Sequence, residues 1–241
     1  MEFYFSAFYS SLPFPFAEKV AESPMEAALS NVASHTPGNW FDLVLQNDPN
    51  RQYVVTAVSH YKEQSAWPNY QHEYLILSIQ HRLSPRAHQP SAPGSVTFQI
   101  KVSRTITGHA LPARLGLWGP AADTIEVRGS ATAAIPDHQL HRLTWAPDDA
   151  PSLVTISFLI NEIHSEIPQY RLLKTSCYSF ARTIGRIIFL KFDGTAGALP
   201  FLIRESYFLH CIPAGITRAE VVVFRVAEAY ERYRRLYEGG K

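Results

Sequence analysis

The chain has 241 residues and a formal net charge of +1, so no bulk electric field favours binding to nucleic acid or to an anionic membrane surface. Its 46% hydrophobic content can build an ordinary core, and its length fits one large domain, or one domain with an extension. The two cysteines, Cys177 and Cys211, are too few for a disulfide scaffold or a cysteine-rich zinc site. They suit a reducing compartment, and the sequence leaves a single bridge between them open.

The first 20 residues are aromatic and include Pro13 and Pro15. They lack the basic start and the compact aliphatic stretch of a secretory signal. No run of the chain reaches the roughly 18 apolar residues that a helix needs to cross a bilayer. We therefore expect a cytoplasmic protein without an integral membrane segment. Residues 1–50 are predicted to be an N-terminal extension, and residues 51–241 the main domain.

Strand-forming residues dominate the first half of the main domain. Residues 51–59 are rich in β-branched and aromatic side chains, and residues 72–81 and 95–106 alternate in polarity with the period of two of a strand. About a dozen residues connect the last two segments, which most simply form an antiparallel hairpin. Shorter strands are predicted at 124–129 and 141–145.

The second half favours helices. Residues 151–167 carry an aliphatic stripe at helical spacing, and Pro168 ends it. A second helix begins at Cys177, and a third covers residues 217–236. Strands followed by helices predict an α+β fold, in which the cysteine-bearing helix packs on an antiparallel sheet.

Cys177 has the sequence context of a reactive thiol. It follows Ser176, a good helix N-cap, so it lies at the positive end of a helix dipole. This position lowers the pKa of a thiol and makes the nucleophilic thiolate more available. The alternative interpretation is a small buried hydrophobic residue, because free cysteine is among the most buried residue types.

The wider pattern consists of Tyr170 seven residues before the cysteine, Ser176 just before it and Phe180 three residues after it. It resembles the nucleophile segment of the circularly permuted NlpC/P60-type papain-like proteins, which include the lecithin:retinol acyltransferase-like enzymes. In that group the catalytic histidine lies upstream, at the head of an apolar strand, as His72 does here. The resemblance extends from His72 to Ile184 and looks closest to fungal proteins of this type whose function is not established.

The resemblance implies a permuted papain-like site with Cys177 as nucleophile and His72 as base. Gln99 on the next strand is predicted as the third residue, since an orienting amide is common in papain-like sites, and Ser103 on the same strand is the alternative. A regular strand would turn His81 to the opposite face. His60 is interpreted as a loop residue, because the sequence after it is too polar to be the aliphatic strand that follows the first histidine in the acyltransferase branch.

The expected function is a cysteine-dependent hydrolase, or an acyl or transpeptidyl transferase, acting through a covalent acyl-enzyme. The acyltransferase branch has Asn before the cysteine and a Glu-His pair after it, where this chain has Ser176, Tyr178 and Ser179. These departures favour the broader hydrolase-like fold over a lipid acyltransferase. The alternative is a catalytically silent papain-like domain that serves as a binding or scaffolding module. We expect an acyl, amide or peptide substrate, no nucleic acid partner, no cofactor and no metal.

Overall fold

The computed structural model describes residues 25, 34–48, 50–63, 72–82, 98–107, 118–129, 137–171, 176–192, 195–196, 207–208, 212–213 and 216–237. Within these residues the chain forms four helices: α1 Pro37–Asn47, α2 Leu153–Glu166, α3 Cys177–Phe192 and α4 Ile216–Tyr237. The strands of the same part of the chain are β1 Ser34–His35, β2 Tyr53–Lys62, β3 Glu73–His81, β4 Phe98–Ile106, β5 Trp118–Arg128, β6 His138–Thr144, β7 Gln169–Arg171, β8 Thr195–Ala196, β9 Tyr207–Phe208 and β10 Ile212–Pro213.

The main sheet has the strand order β1-β5-β4-β3-β2-β6-β8, and every neighbouring pair is antiparallel. Strand β7 pairs with the first residues of β5, and β9 pairs with β10 in a separate ribbon. Strands β3 and β4 form the predicted antiparallel hairpin, with Leu77 opposite Ile100. The α+β fold class with an antiparallel sheet is thus confirmed.

Three of the observed strands extend past their predicted bounds, and one of them, β6, begins at His138 rather than at 141. Strand β2 continues past Ser59 to Lys62, because it is paired on one side with β3 and on the other with β6 over this stretch. His60, which the sequence analysis treats as a loop residue, is therefore a strand residue, and that assignment is wrong. Strand β5 begins at Trp118 rather than at 124, because its first residues pair with β7.

The helices pack on one face of the sheet and share one apolar core with it. Strand residues Leu75 and Val102 belong to the same buried cluster as Phe180 and Ile184 of α3. The predicted stripe of α2 is buried, and its members are Leu153, Ile156, Ile160 and Ile163. Helix α3, which carries Cys177, thus lies directly against β3 and β4.

Helix α1 belongs to the same core, although it precedes the predicted domain boundary at residue 50. Trp40 is fully buried, and its Nε1–H donates a 2.8 Å hydrogen bond to the hydroxyl of Ser157 on α2. The helix begins at Pro37, and the hydroxyl of Thr36 accepts a hydrogen bond from the main-chain N–H of Asn39. The core therefore includes part of the predicted extension.

No helix in the described part of the chain is both long and apolar enough to cross a bilayer. Cys177 is a free thiol. Cys211, the partner in the bridge that the sequence left open, lies outside the described residues.

Candidate functional site

Cys177 is the first residue of α3, as the sequence predicts. The carbonyl of Ser176 accepts hydrogen bonds from the Phe180 N–H at 3.0 Å and from the Ser179 hydroxyl at 2.9 Å. The Ser176 hydroxyl is buried and has no hydrogen-bond partner among the described residues, so the predicted side-chain cap is not made. The main chain of Ser176, rather than its side chain, anchors the first turn.

Two tyrosines enclose the thiol in a small cluster separate from the main core. Cys177, Tyr170 and Tyr178 are buried together, with Ile106 and Ala121 packed against them. The Tyr170 hydroxyl is hydrogen-bonded to the thiol. Tyr170 thus closes one side of the thiol.

A glycine stands on β5 next to the strand that carries Tyr170. Gly119 is opposite Tyr170 in the β5–β7 pair. A Cβ atom on Gly119 would lie 3.1 Å from the Thr107 carbonyl oxygen and 3.2 Å from the Ile106 side chain. A side chain at this position would crowd the end of β4, so the glycine lets β5 lie close to β4 at the point where β5 also pairs with β7.

Burial raises the pKa of the Cys177 thiol to about 11. The main-chain N–H groups of Glu73 and Tyr178 donate toward the sulfur and oppose this rise, whereas the Glu73 carboxylate adds to it. The expectation that the helix terminus lowers this pKa is wrong, because desolvation of a thiol only 4% exposed outweighs the helix dipole. At neutral pH the resting site holds a thiol and not a thiolate.

A buried pair of a histidine and a carboxylate includes Glu73, which lies beside the thiol. Nε2 of His60 is 2.8 Å from Oε2 of Glu73, and both side chains are fully buried. The strand register places Glu73 opposite Lys62 and His60 opposite Leu75, so both side chains lie on the face of the sheet that α3 covers. The two atoms are at ion-pair distance without the alignment of a hydrogen bond. A group that can accept a proton is therefore present at a position that the sequence does not predict.

A second histidine extends this polar row across the sheet. His141 on β6 is directly opposite His60 on β2, and their ring centroids are 6.0 Å apart. From the thiol outward the row runs Glu73, His60, His141 on three adjacent strands. Among the described residues, no group of three or more His, Cys, Asp or Glu side chains has a geometry that could hold a metal ion.

His72, the predicted base, is turned toward the other face of the sheet. Its ring stacks on that of Tyr74 with centroids 6.4 Å apart, and Lys101 lies 4.3 Å from the same Tyr74 ring. Burial, and then the charge of Lys101, lowers the pKa of His72 to about 4, while Glu73 opposes the shift. At neutral pH His72 is thus a neutral imidazole, and it shows no hydrogen bond to Cys177 within the part of the chain that the structure describes.

Gln99, the predicted third residue, lies on that same far face. It is opposite Ser78 on β3 and Arg128 on β5, two residues from Lys101 along β4. The alternative, Ser103, pairs its hydroxyl with that of Thr124 at 2.9 Å. The structure therefore does not bring His72 and Gln99 together with Cys177. Glu73 lies beside the thiol instead, and His60 pairs with Glu73.

The sequence held one signal that could have found this pair. Glu73 directly follows His72, so period-two alternation already turns it to the face of Leu75, where the cysteine helix was expected to pack. The position of His60 follows only from the extension of β2 past residue 59, and the aromatic and β-branched content of residues 51–59 does not predict that extension.

The remaining histidines lie away from the thiol or outside the described residues. His81 lies at the opposite end of β3, 3.2 Å from Gln52. His88 and His109 fall outside the described residues.

Comparison of the chain with family models, with curated proteins and with solved structures finds no match. The resemblance to permuted papain-like proteins thus stays a prediction drawn from the sequence. The chemistry that the site can perform follows from its own residues.

Proposed function

We propose that the protein is a cysteine-dependent hydrolase or acyltransferase. Cys177 forms a thioester with the acyl group of the substrate, and the buried His60–Glu73 pair receives the thiol proton. The observation that carries this proposal is the 2.8 Å contact between two fully buried ionisable side chains beside a cysteine at a helix start.

The energetics of burial support a functional role for this pair. Removing a histidine and a carboxylate from water costs several kcal/mol, which their mutual attraction often fails to offset. Both carboxylate oxygens of Glu73 lack an aligned hydrogen-bond donor among the described residues, a further cost of about 1–3 kcal/mol. Groups kept at such a cost cluster at functional sites.

The proposed reaction has two steps. In the first, the Cys177 sulfur attacks the carbonyl carbon, and the thiol proton passes to the Glu73–His60 pair. The amine or alcohol leaving group takes a proton from that pair as its bond to the carbonyl carbon breaks. In the second, water or an acceptor nucleophile attacks the thioester and gives its proton to the pair. That proton returns to the Cys177 sulfur as the bond between sulfur and the acyl carbon breaks.

The neutral resting state determines how the first step proceeds. A thiol with a pKa of about 11 supplies almost no thiolate at pH 7, so its proton has to leave as the sulfur attacks. The main-chain N–H groups of Glu73 and Tyr178, which donate toward the sulfur, stabilise its developing negative charge. Substrates with amide or ester carbonyls both fit this scheme.

The second candidate function is a catalytically silent binding or scaffolding domain. The observation that favours it is the burial of the thiol, which is 4% exposed and hydrogen-bonded to Tyr170. In that case the polar row would only fix the packing of α3 on the sheet.

Acylation by an activated ester separates the two candidates. The Cys211→Ser protein, in which Cys177 is the only thiol, is treated with p-nitrophenyl acetate and followed by intact mass and peptide mapping. We expect one acetyl group on Cys177 and an acylation rate that falls on the order of 100-fold in His60→Gln. His72→Gln, on the other face, serves as the matched control and should keep the rate within a few-fold. Absence of the adduct, or an adduct indifferent to His60→Gln, would support the silent module.

A further inference from the structure

A second network of charged side chains lies on the helix-covered face of the sheet, separate from Glu73 and His60. Arg104 on β4 and Asp123 on β5 are fully buried and joined by two hydrogen bonds of 2.6 Å, from Nε to Oδ1 and from Nη2 to Oδ2. His164, in the last turn of α2, places Nδ1 2.6 Å from the same Oδ2. The network therefore links two central strands to helix α2.

The guanidinium also reaches the residues around Cys177. Its Cζ lies 4.2 Å from the centroid of the Phe180 ring, one helical turn after the cysteine. The positive charge of Arg104 also affects Tyr170. Burial is the main cause that raises the pKa of the Tyr170 phenol, and the charge of Arg104 opposes this rise. Arg104 thus acts on Tyr170 and on Phe180, one before and one after Cys177 along the chain.

The choice of arginine at this position has a geometric reason. The two bonds to Asp123 hold the guanidinium in one plane, and a planar cation held in this way presents a flat face to the phenyl ring. A lysine could pair with Asp123 but could not form the fork or stack as a plane. Apolar side chains of similar volume would fill the space at equal or greater stability, so stability alone does not call for an arginine.

We propose that Arg104 is a positioning residue for the Cys177 nucleophile, and the proposal rests on the function proposed above. Held by Asp123, its guanidinium supports Phe180 in the first turn of α3 and keeps Tyr170 in hydrogen-bonding contact with the thiol. The residue acts through these two aromatic side chains and touches no reacting atom.

Arg104→Lys in the Cys211→Ser protein tests this role. We expect acetylation of Cys177 by p-nitrophenyl acetate to slow at least tenfold at a temperature well below unfolding. Alkylation by iodoacetamide at pH 8 should slow at least threefold, because losing the Tyr170 hydrogen bond removes a group that lowers the thiol pKa. A merely structural role predicts the reverse for alkylation, since a loosened core exposes the thiol and speeds the reaction.

Arg225→Lys is the matched control, because Arg225 also pairs with a carboxylate, Glu166 at 3.1 Å, but on the surface. It should leave both rates unchanged. If Arg104→Lys does not fold, Phe180→Leu removes the ring while keeping the Arg104–Asp123 pair, and both reactions should again slow. Wild-type rates, or faster alkylation, in the variant that folds would overturn the proposal.

The two readouts also separate this proposal from the proposed function. A wild-type protein that is not acetylated at Cys177 contradicts the acyl-transfer chemistry, whatever Arg104 does. The alkylation rate then decides the positioning role alone: a rate unchanged by Arg104→Lys overturns it, and a slower rate supports it.

Discussion

Cys177 is buried and His72 is half-buried, and the loss of surrounding water favours the neutral form of each. The pKa of the thiol rises to about 11 and that of the imidazole falls to about 4, so neither residue is charged at pH 7. For the thiolate, the free-energy cost of removing the charge from water exceeds the stabilisation that the helix N-terminus provides. The thiolate that the sequence suggests at Cys177 is thus not the resting state.

The shift of His72 predicts a specific loss of stability in acid. In the unfolded chain this histidine takes up a proton near pH 6.5, whereas in the folded protein it does so only near pH 4. Between these values the unfolded state binds more protons, so the free energy of unfolding falls as the pH is lowered from about 6.5 to 4. The full effect is on the order of 3 kcal/mol.

Urea denaturation of the wild type and of His72→Gln at pH 7 and pH 4.5 measures this contribution. The variant should lose less stability than the wild type on acidification, because glutamine does not titrate. Equal losses in the two proteins would show that His72 is no less easily protonated in the folded chain than in the unfolded one.

A second prediction at this scale concerns Glu73. Its carboxylate raises the thiol pKa of Cys177, so Glu73→Gln should lower that pKa and speed alkylation at pH 8 about threefold or more. Acetylation by p-nitrophenyl acetate should slow in the same variant, because the pair that accepts the proton is broken.

Faster alkylation together with slower acetylation is expected if Glu73 both raises the thiol pKa as an anion and takes part in accepting the thiol proton. Glu63→Gln is the control: Glu63 pairs with Lys101 at 3.7 Å on the far face of the sheet, and its loss should alter neither rate. A slower alkylation in Glu73→Gln would mean that the carboxylate does not destabilise the thiolate.

The sequence predicts some of the site residues and not others for a physical reason. Cys177 is recognisable from local signals, namely a polar residue before it and a helical stripe after it. His60 acquires its role only through the pairing of β2 with β3, which brings it to Glu73 across thirteen positions of sequence. Such long-range register is not encoded in any single stretch of the chain.

At the scale of elements, helix α2 forms as its stripe predicts. Ser152 caps it by accepting a hydrogen bond from the Thr155 N–H at 3.1 Å, and its buried side chains face the sheet and α4. Periodicity and a cap are local properties, so this helix is predicted within two residues at its start and one at its end.

Ile160→Ala should destabilise the protein by about 2–5 kcal/mol, because the fully buried side chain leaves a cavity in the core. Leu190→Ala on α3, where the side chain is 58% exposed, should change stability by no more than about 0.5 kcal/mol. Thermal or chemical unfolding of both variants measures the difference. Equal stabilities would place Ile160 outside the core.

For the molecule as a whole, the core extends beyond the boundary that the sequence predicts. The stretch before residue 50 has a composition that favours neither strand nor helix strongly, yet Trp40 and Val44 are fully buried among residues of the main domain. What places them there is the packing of α1 on α2, a tertiary contact across more than 100 residues.

Trp40→Ala should therefore cost about 3–5 kcal/mol, and unfolding should stay a single transition because α1 and the sheet share one core. Leu45→Ala, on the more exposed side of the same helix, should cost clearly less. An extension that folds separately would instead give two transitions, or no effect of Trp40→Ala on the unfolding of the sheet.

The most direct test of the proposed site is the rate of Cys177 acetylation in three proteins that share the Cys211→Ser background: the parent, His60→Gln and His72→Gln. The rate is measured by stopped-flow release of p-nitrophenol between pH 6 and 9. If the Glu73–His60 pair serves the thiol, His60→Gln abolishes most of the acetylation across this range, whereas His72→Gln follows the parent profile. A parent-like profile for His60→Gln together with a lost reaction in His72→Gln would contradict the assignment and restore His72 as the base.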